Sequence, residues 1–104
     1  MDARPTPLRV LIHAPTAAAL LRARNNALNL LRAAPDAEVR IIVNAEAVGV
    51  LLDSPRPDTD GITLVCGNTL QKLGRAAPPP LQAVGAAIVA IAEMQRDGWS
   101  YVRA

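Results

Sequence analysis

The chain contains no phenylalanine, and its two aromatic residues, Trp99 and Tyr101, lie close together near its end. Its interior therefore has to be built from Ala, Val, Leu and Ile. Hydrophobic residues make up 51% of the sequence, which suits a globular protein and excludes wholesale disorder. Cys66 is the only cysteine, so neither an internal disulfide nor a C-x-x-C redox pair can form within one chain. His13 is the only histidine, and one histidine with one cysteine does not complete a metal site, so neither metal nor cofactor is expected. There is no G-x-G-x-x-G, no G-x-x-x-x-G-K-[ST] and no serine nucleophile elbow, so nucleotide binding and serine hydrolysis have no fingerprint. The sequence also lacks a secretory-type leader and a long uninterrupted apolar run. The expectation is a soluble, cytoplasmic protein that makes no contact with membrane. Lysine is nearly absent as well: Lys72 stands beside ten arginines scattered from Arg4 to Arg103, for a net charge of +2. Nucleic-acid surfaces concentrate cations on one face among aromatics. The linear sequence has no such cluster, and no nucleic-acid partner is expected.

At 104 residues the chain has the length of one domain, 1–104, with residues 1–7 (MDARPTP) as an irregular leader. Leu8 to Ala14 is a nearly continuous apolar run of the kind buried on both faces of a parallel sheet. Thr16 is placed to cap a long helix ending near Ala34, before Pro35-Asp36. Its apolar face is expected to comprise Ala17, Leu20, Leu21, Ala27, Leu28 and Leu31. Arg24 falls inside that stripe and is best explained by an ion pair to another helix or subunit. Glu38 to Asn44 forms a second strand and Glu46 to Leu52 a short helix. The loop DSPRPDTDG then leads to a third strand, Ile62 to Cys66. A helix capped by Asn68 or Thr69 follows, stopped by Gly74. Beyond the stiff Pro78-Pro79-Pro80 spacer come a short strand at Leu81–Val84, a helix at Ala86–Arg96 and a last strand at Trp99–Val102. Strands and helices alternate five times. The expected fold class is α/β, three-layer α/β/α with a five-stranded parallel sheet.

The run AAIVAIA in the last helix has no polar side before Glu93, so it calls for cover beyond the sheet, most simply from another copy of the chain. In open parallel sheets, ligands bind beyond the carboxyl ends of the strands. The first strand ends near His13, the second at Asn44 with Glu46 beyond it, and the third at Cys66, Gly67 and Asn68. Cys66 is the candidate catalytic thiol, because the start of the following helix favours a thiolate. Gly67 leaves that approach uncrowded. His13, Asn44, Glu46, Gly67 and Asn68 are candidate ligand-binding residues. Each also has a plain structural role open to it, and free cysteine is itself a commonly buried residue.

The segments NNALNLL, VRIIVNAEAVGVLL, LVCGNTLQKLG and MQRDGWSYVRA, in this order and spacing, resemble the DsrE/DsrF-like family, in its small single-domain branch, over about Leu8 to Arg103. The resemblance implies a five-stranded parallel sheet with flanking helices, assembled as a trimer or hexamer. It also implies a sulfur-relay or sulfurtransferase-like protein that carries a persulfide on the cysteine matched by Cys66 and exchanges it with a sulfur donor or acceptor protein. Members commonly place a carboxylate between that cysteine and the asparagine, where this chain has Gly67. The other reading of the same fold is a non-catalytic oligomeric module that binds a small molecule or a protein at the strand-end cleft.

Overall fold

The computed structural model describes residues 6–104. The expected leader lies mostly outside this range; Thr6 and Pro7 are exposed and belong to no helix or strand. Five strands and five helices follow in order: β1 (Arg9–Ala14), α1 (Ala17–Ala33), β2 (Glu38–Val43), α2 (Ala47–Asp53), α3 (Pro57–Asp60), β3 (Thr63–Cys66), α4 (Gly67–Leu73), β4 (Gln82–Val84), α5 (Ala87–Arg96) and β5 (Ser100–Arg103). The strands form one all-parallel sheet of order β4-β3-β2-β1-β5. The fold is α/β, a five-stranded parallel sheet flanked by helices, as the alternation requires.

The nearly unbroken apolar strands are explained by the pleat, which sends successive side chains to opposite faces. Val10, Ile12 and Ala14 of β1, Val39, Ile41 and Val43 of β2 and Val65 of β3 pack with Leu20, Ala23 and Ala27 of α1, Val48 and Leu51 of α2 and Leu70 of α4. Leu11, Ile42 and Cys66 point the other way and meet Ala87 and Ile91 of α5 in a smaller cluster. One face of the sheet is thus covered by several helices and the other by α5 alone.

Local signals set several boundaries. Thr16 caps α1 by accepting the Ala19 N–H at 3.1 Å. Gly74 adopts φ 62°, a left-handed conformation that glycine takes without a Cβ penalty, and closes α4. The loop after α2 holds an unexpected turn, α3, opened by Pro57 with Asp58 and Asp60 in its first turn, a sequence suited to a helix start. The phase of α1 also differs from expectation. Ala17 and Leu21 are exposed, and the buried stripe is Ala19, Leu20, Ala23, Arg24 and Ala27. The helix is rotated so that Arg24, only 5% exposed, turns inward to Asp60 of α3 at 3.5 Å and donates to the Ser54 carbonyl at 2.8 Å. The anomaly in the apolar stripe is an interhelix ion pair. Burial lowers the Arg24 pKa, and the Asp60 carboxylate opposes that fall. No described helix is long and apolar enough to cross a membrane.

Candidate functional site at the carboxyl edge of the sheet

Cys66 is the last residue of β3 and the N-cap of α4, which starts at Gly67, two or three residues earlier than a cap at Asn68 or Thr69 predicts. Its Sγ also accepts the backbone N–H of Ala87, the first residue of α5, at 3.4 Å. The sulfur thus stands at the start of α4, without a side-chain capping bond there, and takes its hydrogen bond from the start of α5. Burial pushes the thiol pKa up, but the N–H groups of Ala87, Thr69 and Asn68 and the Thr69 hydroxyl outweigh it and hold the thiol below its ordinary value. The sulfur is nevertheless covered: Cys66 is 6% exposed and packs with Leu11, Ile42, Ala87 and Ile91.

Gly67 has a different role from the one its sequence position suggests. A Cβ there would collide with the Val84 carbonyl oxygen and lie 2.9 Å from that of Gly85. The glycine lets the β4–α5 connection cross directly above the start of α4, and this crossing carries Ala87 onto the sulfur. A carboxylate at this position has no room. Asn68 is exposed and borders a shallow depression with Val84, Gly85, Ala86, Val89 and Glu93.

His13 and Asn44 are brought together, as expected of neighbouring strand ends. His13 Nε2 lies 2.9 Å from Asn44 Oδ1, and Nδ1 lies 2.7 Å from the Tyr101 hydroxyl. An amide oxygen only accepts, so with this amide orientation Nε2 carries the proton and, in the neutral ring, Nδ1 accepts from the phenol. Tyr101 was not legible as a site residue. Its place opposite Leu11 follows from the pairing of β5 with β1, which nothing local in the sequence announces. Ala45, just beyond Asn44, has φ 53°, a strained conformation for a residue with a Cβ. Glu46 precedes α2 as an exposed N-cap residue without a side-chain capping bond, and among the described residues it makes no hydrogen bond to the histidine or the cysteine.

The candidate residues form two groups. His13 shares a row with Ile42 and Leu64, whereas Cys66 stands two residues further along β3 and two strands away. Ordinary strand spacing and rise put the two Cα atoms roughly 12 Å apart. Both imidazole nitrogens are already engaged, so His13 is not the base of Cys66. Among the described residues no group of three or more His, Cys, Asp or Glu side chains is arranged to hold a metal ion.

No family model matches the sequence. No curated protein matches it either. Among solved structures the fold is similar to that of MTH1491, a protein of unknown function from Methanobacterium thermoautotrophicum, with a TM-score of 0.74 and 22% sequence identity over 93% of this chain and 99% of that one. At this identity the likeness concerns the architecture, and the five-stranded parallel α/β fold is what the two chains share.

Proposed function

We propose that the protein is a sulfur carrier of the DsrE/DsrF-like kind, with Cys66 holding a persulfide between a donor and an acceptor protein in the cytoplasm. The observation that supports this reading is the Ala87 N–H donated to a sulfur at the start of α4, where the thiol pKa lies below its ordinary value despite burial. A thiolate attacks the outer sulfur of thiosulfate. The new S–S bond forms as the S–S bond of thiosulfate breaks, and the electron pair leaves with sulfite. Ala87 and Ile91 cover the sulfur in the resting state, so loading requires the first turn of α5 to move aside.

Incubation with thiosulfate followed by intact-mass analysis tests the proposal. The wild type gains one sulfur atom, removable by reductant, and Cys66→Ala gains none; identical masses for the two proteins overturn it. Alkylation supplies the pH signature. Because the folded thiol has a lowered pKa, its rate levels off at a lower pH than that of a free cysteine.

A second reading, an oligomeric binding module without catalysis, is favoured by the near-complete burial of Cys66 together with Ile88 and Val89 on α5, which are 73% and 54% exposed. It expects an inert thiol and an assembly, a trimer or hexamer, that covers these two side chains.

A further inference from the structure

The sheet order leaves β4 and β5 as the two outer strands, and their edges are finished differently. β4 has only three residues, between the Pro78-Pro79-Pro80 run and Gly85, and offers little backbone to another strand. β5 has four, SYVR, with no proline and with two strong strand formers, Tyr101 and Val102, at its centre. All four are exposed, and Val102 is 43% exposed although it lies on the α1 side of the pleat, level with Ile12. The ladder to β1 shows which backbone groups of β5 are spent. Ala104 donates its N–H to the His13 carbonyl at 2.9 Å, and His13 is the register partner of Arg103. Bonding groups alternate in direction along a strand, so Ser100, Val102 and Ala104 face β1, whereas the N–H and C=O of Tyr101 and Arg103 face outward. Among the described residues none of these outward groups has a hydrogen-bond partner.

Two outward residues placed two positions apart are self-complementary. A two-fold axis normal to the sheet beside Val102 sets Tyr101 opposite the partner's Arg103 and Val102 opposite the partner's Val102. Tyr101 and Arg103 then form the hydrogen-bonded pairs of an antiparallel ladder, and no outward group is left over on either copy. The pleat permits other registers only in steps of two residues, since a single step exchanges the faces. One such step sets Arg103 against the partner's Arg103, like charge on like. The opposite step sets it against Trp99, whose N–H is already given to the Met94 carbonyl at 2.9 Å. In the favoured register the two Val102 side chains meet on the α1 side and neither arginine faces the other. We propose that the free edge of β5 pairs with β5 of a second copy, antiparallel about a two-fold axis, to give one continuous sheet across both chains. A join between strands this short is small, so the dimer forms and dissociates with concentration. It uses neither Cys66 nor the outer side of α5.

Sedimentation equilibrium of the intact chain is expected to show a reversible monomer–dimer transition. Arg103→Pro removes an outward N–H and leaves the β1 ladder intact, so it is expected to weaken association about tenfold. Cross-linking reads the register. In a Cys66→Ala background, Val102→Cys sets two thiols across the axis with Cα atoms about 4.5 Å apart, within disulfide range. Arg103→Cys sets them roughly 8 Å apart, outside it. With diamide as the oxidant, Val102→Cys is expected to form a reductant-sensitive dimer about tenfold faster than Arg103→Cys. Val102→Lys and Val102→Glu each oppose like charges at the axis. Each alone is expected to stay monomeric and their mixture to form a mixed dimer, which also shows that both variants fold. A wild type that stays monomeric at millimolar concentration, its edge free for a strand of another protein, overturns the proposal. So do equal cross-linking rates, dimers retained by both charged variants separately, or the absence of a mixed dimer.

Discussion

The two faces of the sheet solve the problem of polar groups differently. Under α1, α2 and α4 the layer is closed, and the charge it contains, Arg24, is met by a carboxylate and a carbonyl delivered from the α2–α3 region. The opposite face has α5 alone. There Cys66 sits beneath the start of that helix, while His13, Tyr101 and Arg103 lie where its cover ends. A closed layer favours a charge whose partner is built in, because an unmatched one costs several kcal/mol, although here Arg24 Nε and Thr59 Oγ1 have no hydrogen-bond partner among the described residues. A half-covered layer leaves polar groups beside water, where they can remain available to a ligand. The chemistry-bearing residues of this protein accordingly gather on the thinly covered face.

The contrast can be broken most severely at its buried charge. Asp60→Ala leaves the Arg24 guanidinium desolvated and without its carboxylate, with an expected loss of about 3–5 kcal/mol in urea denaturation. Glu38→Gln, at the exposed Arg9 pair with 3.6 Å between the charges, is expected to cost under about 1 kcal/mol. Equal costs would mean that the two faces do not differ in how they hold charge. Gly67→Ala sharpens the other side of the comparison. The added methyl pushes the Val84–Gly85 backbone away from α4, at an expected cost of about 1–3 kcal/mol. It also withdraws Ala87 from Cys66, so the thiol is expected to alkylate faster at high pH and with a raised apparent pKa. An unchanged alkylation profile would show that the crossing segment does not control the sulfur. The smallest stability effect is expected on the outer side of α5. Ile88→Ser should change the stability of an isolated chain by no more than about 0.5 kcal/mol. If copies of the chain cover this helix, the variant has a lower sedimentation mass than the wild type; an unchanged mass would leave Ile88 outside any interface.

Much of the fold was legible because its signals are local and repeated. The runs RVLIHA and EVRIIV are too apolar for a sheet with one wet face, and the helical segments between them force parallel crossovers. Thr16 and Gly74 act on their own neighbours and performed as their types predict. The phase of α1 was harder to read, since it depends on Arg24 finding Asp60 more than thirty positions away, in a turn that a Pro- and Asp-rich stretch only hints at. At the candidate site, the strand ends correctly placed His13 beside Asn44 and Cys66 at a helix start. Tyr101 and Ala87 were missed because each reaches the site through a long-range pairing. From sequence Gly67 reads as keeping the approach to the thiol uncrowded; that the Val84 and Gly85 carbonyls of the β4–α5 connection leave no room for a Cβ there is visible only in the fold.

The sequence by itself determined the layers, the parallel sheet and the edge at which the lone thiol and the lone imidazole emerge, since hydrophobic period and capping chemistry act within a few residues. The tertiary structure decided which of those groups touch. It set imidazole and thiol two strands apart, closed α5 over the sulfur and brought Arg103 beside His13, because contacts between side chains distant in sequence are fixed by strand order and register.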